Sequence, residues 1–340
     1  MIRVINKAQC DDKTLFNIAT SLYLYPTAIL AHHFGIFEFI AKDNKNASEI
    51  CAFIGIELRS VEVVMAVVLA LELVELDKGS YKLTKVTEEF LLKKSPNYCG
   101  YYWDLIYSTG DNFSLANLES VMRKHDTQDE EQETLFEESI YHTEKAEAFT
   151  KAMHGVSIGA ASIWPNKLNL MDNHCMLDIG GGSGAHSVGV VTRWPNLRGI
   201  IYDIATVGRI TTDFIKSYGL AERISIHIGD MWSDPFPEAD IHFYSNVLHD
   251  WPIQKNLFLT QKSYDALPRG GRIIIHETLF NDETPGPLAV AGFNVTMLIW
   301  SQGKQYSHSE MRQMLHAAGF CDIEILPAFG YFSIITGVKP

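Results

Sequence analysis

The spacing of apolar and polar residues changes character along this 340-residue chain, and the change divides it into two regions. From residue 13 to 43, apolar residues recur at helical spacing (Leu15, Ile18, Ala19, Leu22, Ala28, Ala31, Phe34, Ile36, Phe37, Ile40). This predicts paired helices with a break near Pro26, because proline lacks the N–H that an interior helical turn requires. Asn46-Ala47-Ser48-Glu49-Ile50 then places a polar cap before an apolar run, followed by a turn at Gly55 and a helix from about Ser60 to Leu71. Leu73 to Leu76 and Tyr81 to Thr84 read as two short strands joined by the turn Asp77-Lys78-Gly79-Ser80. Helix, turn, helix and hairpin together predict a mainly helical winged-helix region.

The segment from Asp126 to Glu133, rich in Asp, Glu and Gln, reads as a solvated connector. From Cys175 onward the period shortens. Apolar strands alternate with helices: 176–179, 200–203, 224–228, 241–244, 272–276, 323–326 and 332–335. That alternation predicts an α/β, Rossmann-like domain, a mostly parallel seven-stranded sheet flanked by helices. The last two strands are too close in sequence for a crossover helix, so they form an antiparallel hairpin. The predicted domains are 1–110, a helical connector 111–155, and 156–340.

Composition narrows the function. With 46% hydrophobic and 20% charged residues the chain can bury a large core. A net charge of −13 repels phosphate backbones and anionic lipid surfaces, so a small neutral or cationic partner fits better than nucleic acid or membrane. Cys10, Cys51, Cys99, Cys175 and Cys321 are odd in number and scattered, which suggests neither a disulfide framework nor a metal site. The amino terminus has no apolar run of signal-peptide length, which predicts a cytoplasmic protein.

Candidate chemistry gathers at the carboxyl ends of the predicted strands. Leu177-Asp178-Ile179-Gly180-Gly181-Gly182-Ser183-Gly184-Ala185 lies where the first strand turns into a helix, the place where a doubly wound sheet binds nucleotides. The pattern at Gly180, Gly182 and Ala185 also satisfies a loose dinucleotide fingerprint. Asp203 ends the second strand, where a carboxylate can accept both hydroxyls of a ribose. Gly229-Asp230-Met231-Trp232 ends the third, offering a carboxylate for an adenine amino group and apolar side chains for its ring. Those features serve NAD and S-adenosylmethionine alike, but nothing further along the chain is diagnostic of a nicotinamide pocket. After the fourth strand comes Ser245-Asn246-Val247-Leu248-His249-Asp250-Trp251. An imidazole of ordinary pKa, about 6.5, is suited to take a proton from a phenol of pKa about 10. Glu277, at the end of the fifth strand, can bond the other ring nitrogen of His249 and fix its tautomer.

With these residues in view, the chain resembles the O-methyltransferase family that includes plant caffeate and flavonoid enzymes, animal hydroxyindole O-methyltransferases and bacterial natural-product enzymes. The likeness spans nearly the whole chain. It rests on the glycine segment 177–184, on Gly229-Asp230-Met231 with Pro235 to Asp240, on Leu248-His249-Asp250-Trp251, on Gly270-Gly271, on Gly286-Pro287-Leu288 and on Ala317-Ala318-Gly319-Phe320. The resemblance implies a class I methyltransferase domain behind a winged-helix dimerisation domain, a homodimer, S-adenosylmethionine as cofactor without a metal, and a small-molecule acceptor. It implies His249 as general base with Glu277 as its partner. Cofactor contacts are implied for Ser157, Asp178, Gly180, Gly182, Asp203, Ile204, Asp230, Met231 and Ser245, and an acceptor pocket for Phe149, Met153, Asn294 and Trp300. Two places depart from the family pattern. Ser245 and Asn246 stand where many relatives carry Lys or Arg, and Gly303-Lys304-Gln305-Tyr306-Ser307 carries an amide where a second carboxylate is usual.

Other readings compete with this one. The same donor and base serve transfer to carbon or nitrogen, and the fold also supports chemistry other than methylation. A winged-helix regulator would need polar side chains on its recognition helix, yet 60–71 is nearly all apolar and carries Glu62. His32-His33 lacks the spacing of a zinc site and reads as packing or surface.

Overall fold

The computed structural model describes residues 7–123 and 142–340, so the connector predicted at 126–133 lies outside the described residues. The chain divides into two compact units, Met1–Tyr107 and Ser108–Pro340.

In the first unit, α1 (Lys13–His33) runs straight through Pro26. The predicted break comes instead at Gly35, whose φ of 71° ends one helix and starts α2 (Ile36–Ile40). Proline lacks the N–H that would bond the Leu22 carbonyl, yet the helix persists; the Thr27 hydroxyl adds a bond to the next carbonyl, that of Tyr23, at 2.7 Å. α3 (Ala47–Ile54) opens with a reciprocal cap: Asn46 Oδ1 accepts from Glu49 N at 3.0 Å, and Asn46 N donates to Glu49 Oε2 at 2.8 Å. Such caps contribute about 1 kcal/mol. α4 (Leu58–Ala70) and the antiparallel hairpin β1 (Val74–Asp77) and β2 (Ser80–Leu83) follow, then α5 (Lys85–Phe90) and α6 (Gly100–Ser108). Ile36, Phe37, Ile50, Val61, Met65 and Val68 form one buried cluster. Among the described residues no cluster of metal-ligating side chains forms around His32; its Nε2 meets Asp104 Oδ1 at 3.1 Å.

The second unit begins with α7 (Leu115–Arg123) and α8 (Thr143–Ala161) and is organised on seven strands. These are β3 (Cys175–Ile179), β4 (Arg198–Asp203), β5 (Ile224–Ile228), β6 (Ile241–Ser245), β7 (Arg272–Thr278), β8 (Cys321–Pro327) and β9 (Phe332–Val338), in the spatial order β5-β4-β3-β6-β7-β9-β8. The first five pair in parallel; β9 pairs antiparallel with both β7 and β8. The order reverses at β3, and the break beside it leaves a crevice at the strands' carboxyl ends. Helices α9 (Ala185–Arg193), α10 (Ala205–Ser217), α11 (Ile253–Ala266), α12 (Leu288–Trp300) and α13 (His308–Ala318) fill the connections.

Strand alternation sorts the core into two layers. Leu177, Ile179, Tyr244, Ile273 and Ile275 join one buried cluster, whereas Met176, Phe243 and Ile274 join the other. The same alternation sends the neighbours His276 and Glu277 of β7 to opposite faces, and this decides what each can reach.

Candidate active site

The loop after β3 is shaped by glycine. Gly180, Gly182 and Gly184 have φ of 67°, 55° and 76°, a region that costs an L side chain about 1–2 kcal/mol. A Cβ on Gly180 would lie 2.9 Å from a methyl of Val247, whereas one on Gly182 would meet nothing within 4 Å. The loop therefore presents bare backbone to open space at Gly182. Asp203 locks it: its Oδ2 accepts from Gly182 N and its Oδ1 from Ile204 N, each at 2.8 Å. Burial pushes Asp203 up to about 6 despite those two bonds, so it remains a carboxylate at neutral pH, with lone pairs left for a ligand. Asp178 lies beneath the loop, 1% exposed, where its Oδ2 accepts from Ser187 Oγ at 2.7 Å. Burial raises it to about 7.

The turn after β5 is closed on itself. Asp230 Oδ1 accepts from Trp232 N at 3.0 Å and its Oδ2 from Ser233 Oγ at 2.9 Å, while Asp230 N donates to Asp234 Oδ2 at 2.9 Å. Lys262 of α11 donates to the carbonyls of Met231 (2.7 Å) and Asp234 (2.6 Å), which holds Met231 in place. Nothing in the sequence around Lys262 signals this role.

His249 sits in a short 3-10 turn, Leu248–Asp250, beyond the end of β6. Its Nδ1 lies 2.7 Å from Glu277 Oε2. A carboxylate only accepts, so the neutral ring carries its proton on Nδ1 and presents Nε2 as a lone pair. Nε2 is 3.7 Å from Asp250 Oδ1, beyond hydrogen-bond length but close enough to favour a positive charge. Burial lowers the imidazole's proton affinity; the charges of Glu277 and Asp250 and the Glu277 hydrogen bond outweigh it and raise the pKa to about 9. Sequence reasoning assigned Glu277 but gave Asp250 no role, although its adjacency in the sequence was the available signal. Phe293 meets the imidazole edge-on, its ring centroid 5.6 Å away.

Ser245 is committed elsewhere. Trp164 Nε1 donates to His186 Nδ1 at 3.0 Å, and an indole can only donate, so the neutral His186 carries its proton on Nε2. That nitrogen is 2.9 Å from Ser245 Oγ, whose own proton then points to His276 Nδ1, also at 2.9 Å. Burial keeps both rings neutral, lowering His186 to about 3 and His276 well below its ordinary value. The Ser245 hydroxyl is thus taken up by two histidines; its backbone remains at the strand end.

The other candidates fall in three places. On α8, Ser157 is buried and Phe149 sits with its ring centroid 6.4 Å from that of Trp300; Met153 lies one helical turn on from Phe149. Between them, His154 Nδ1 meets Ser183 Oγ of the glycine loop at 2.9 Å, a link the sequence did not reveal. Asn294 of α12 uses Oδ1 to accept from Gln305 N at 2.7 Å. Gln305 is buried, with Oε1 accepting from Thr278 Oγ1 at 2.9 Å.

A glycine loop and acidic strand ends at the crevice of an open α/β sheet, with a buried imidazole–carboxylate pair on the next strand, define a small-molecule transferase site. The O-methyltransferase domain family matches residues 123–321, and the chain belongs to that family; it is a methyltransferase. It is 28% identical to 3-hydroxy-5-methyl-1-naphthoate 3-O-methyltransferase of Streptomyces sahachiroi over 330 residues, 96% of this chain and 94% of that protein. With acetylserotonin O-methyltransferase of Bos taurus the identity is 27% over 319 residues, 90% and 91% of the two chains. Among solved structures, human N-acetylserotonin methyltransferase in complex with SAM aligns with a TM-score of 0.84 at 22% identity, covering 98% of this chain and 99% of that one.

Proposed function

We propose that this protein transfers a methyl group from S-adenosylmethionine to a phenolic or enolic hydroxyl of a small molecule, a natural-product type of acceptor, with His249 as general base. The observation that carries the reading is the buried His249–Glu277 pair, 2.7 Å apart, at the same sheet edge as the glycine loop. The loop fits the cofactor: Gly182 opens onto free space, Asp203 keeps acceptor capacity for ribose hydroxyls, and Met231 and Ile204 offer apolar surface. Gly180, Asp178, Ser157, Asp230 and the backbone of Ser245 complete the residues assigned to hold it. Bound S-adenosylmethionine supplies a methyl group activated by the positive charge on its sulfur.

The protein's own residues then have a limited task. Nε2 of the neutral His249 ring takes the proton from the acceptor hydroxyl as its oxygen becomes nucleophilic, and Glu277 holds the ring's other proton on Nδ1, which aims Nε2, and stabilises the imidazolium that forms. Phe149, Met153, Asn294 and Trp300 form the wall that orients the acceptor, and orientation contributes much of the rate. The raised pKa of His249 means that the ring holds a proton in the unliganded protein at neutral pH. His249 would release that proton when a positively charged cofactor is bound nearby, because a like charge lowers an imidazole's pKa.

Residues 1–110 serve, in this reading, as a winged-helix dimerisation domain of a cytoplasmic homodimer, 111–155 contribute to the acceptor pocket, and 156–340 bind the cofactor. On α1, Leu15, Phe16, Ile18, Leu22 and Tyr23 are 65% to 71% exposed, an apolar stripe that a second copy would cover. The helix is also long and apolar enough by composition to cross a membrane. Sedimentation of the full chain should give twice the monomer mass, without detergent. The functional reading is tested by incubating the protein with methyl-labelled S-adenosylmethionine and a panel of phenols. A product heavier by one methyl on oxygen supports it; methylation only at carbon or nitrogen, or no binding of the cofactor in calorimetry, refutes it.

A further inference from the structure

We infer that the indole N–H of Trp300 donates a hydrogen bond to a neutral carbonyl oxygen on the methyl acceptor, so that the preferred acceptors are hydroxylated aromatic compounds bearing a ring carbonyl. This rests on the hydroxyl-transfer reading and specifies its substrate class.

Trp300 is 8% exposed, and its Nε1 is buried without a hydrogen-bond partner. A buried indole N–H almost always has one, because leaving it unpaired carries the full desolvation penalty. Among the described residues near the base, the buried polar atoms without a partner include Trp300 Nε1, Asn246 Oδ1, Asn256 Oδ1, Gln305 Nε2 and Glu277 Oε1. The last two are a donor and an acceptor, and Thr278, next to Glu277, already bonds the Gln305 amide. A single water can serve that pair. The indole N–H is bonded to none of these acceptors.

Its position is tied to the base from two directions. Phe293 and Trp300 are seven residues apart on α12 and so share one helix face, the face on which Phe293 meets the His249 ring. Immediately after Trp300 the chain lies against the base's own backbone. Gln302 N donates to Asp250 O at 3.2 Å, and a Cβ on Gly303 would lie 2.1 Å from His249 O. On its other side the indole faces Phe149. The indole thus belongs to the group of aromatic side chains next to the imidazole. Burial selects the kind of oxygen: a neutral carbonyl accepts from the indole N–H without bringing a further charge into a site that already buries Asp250 and Glu277.

The test compares a hydroxychromone with the matching hydroxychroman, which lacks the carbonyl. Wild type should favour the chromone in kcat/KM. Because Trp300 also lines the acceptor wall, Trp300→Phe should lower kcat/KM for both compounds, and the loss for the chromone should exceed that for the chroman roughly tenfold, with cofactor affinity unaltered. Independently of turnover, the Trp300 indole N–H resonance should move downfield when the chromone binds with S-adenosylhomocysteine, and stay when the chroman does. The resonance is assigned by its loss in Trp300→Phe or, if that variant is unstable, in Trp300→Tyr. Equal losses on both acceptors, or a resonance the chromone leaves in place, would overturn the inference. A moved resonance with neither compound methylated would uphold the Trp300 assignment and refute hydroxyl transfer.

Discussion

Nδ1 of His249 lies 2.7 Å from Oε2 of Glu277, and the two side chains are only 5% and 1% exposed. A buried ion pair of this kind fixes both the direction of the imidazole and its proton affinity, so each consequence can be measured separately.

Glu277→Gln should keep a hydrogen-bonding group but remove the charge. His249 then loses the larger of its two charge supports, its pKa falls, and the rising limb of the kcat/KM profile moves to lower pH. An amide can also donate to Nδ1 and select the wrong tautomer, so kcat should drop by about 10² or more. Steady-state pH profiles of the variant and wild type check both.

Gln305→Glu makes the opposite change. A carboxylate would replace the amide bonded to Thr278 near the end of β7, and the added negative charge should raise His249 further. The active limb of the pH profile should shift to higher pH. A profile identical to wild type would place Gln305 outside the electrostatic reach of the base.

Two glycines of the loop should respond differently to alanine. Gly180→Ala adds a Cβ 2.9 Å from Val247 at a φ of 67° and should cost stability by about 2 kcal/mol or more. Gly182→Ala meets nothing within 4 Å, so its stability cost is confined to the backbone strain, about 1 kcal/mol. Its new methyl projects into the space assigned to the cofactor. Thermal melts should therefore rank Gly180→Ala as the less stable, while calorimetry with S-adenosylmethionine finds Gly182→Ala at least as impaired in binding.

Stability should fall with rising pH in the ligand-free protein. Burial raises Asp178 to about 7, Asp203 to about 6 and Asp250 to about 7, and the Glu277 and Asp250 charges raise His249 to about 9. A site whose native pKa is raised binds more protons folded than unfolded. Its contribution is complete below the unfolded pKa and is lost as pH climbs through the native one. For the aspartates that window begins near 3.8, and for His249 it runs from 6.5 to about 9. The Tm should decline across this range, and His249→Ala should flatten its alkaline part.

Much of the fold was legible because parallel strands buried on both faces read as short apolar runs, and all seven predicted runs lie within observed strands. Pro26 misled because a proline removes one hydrogen bond from this 21-residue helix without ending it, and Gly35, with its left-handed backbone, supplies the real break. At the site, the glycine loop and the pairing of His249 with Glu277 could be read from positions at strand ends. The commitment of Ser245 to His186 and His276 could not, because it depends on which strand face each residue of β6 and β7 presents and on a tryptophan 81 positions earlier in the chain. The role of Lys262 and the unpaired N–H of Trp300, a residue already assigned to the acceptor pocket, were beyond sequence reasoning for the same reason. Their partners, or lack of them, are set by tertiary approach rather than by local spacing.

The most direct test of the central claim is the single-turnover rate of methyl transfer by His249→Ala with cofactor and a phenolic acceptor both saturating. The account predicts a rate lower by about 10² to 10⁴ with S-adenosylmethionine affinity unchanged. A rate equal to wild type would show that the proton leaves the acceptor by another route and that His249 is not the base.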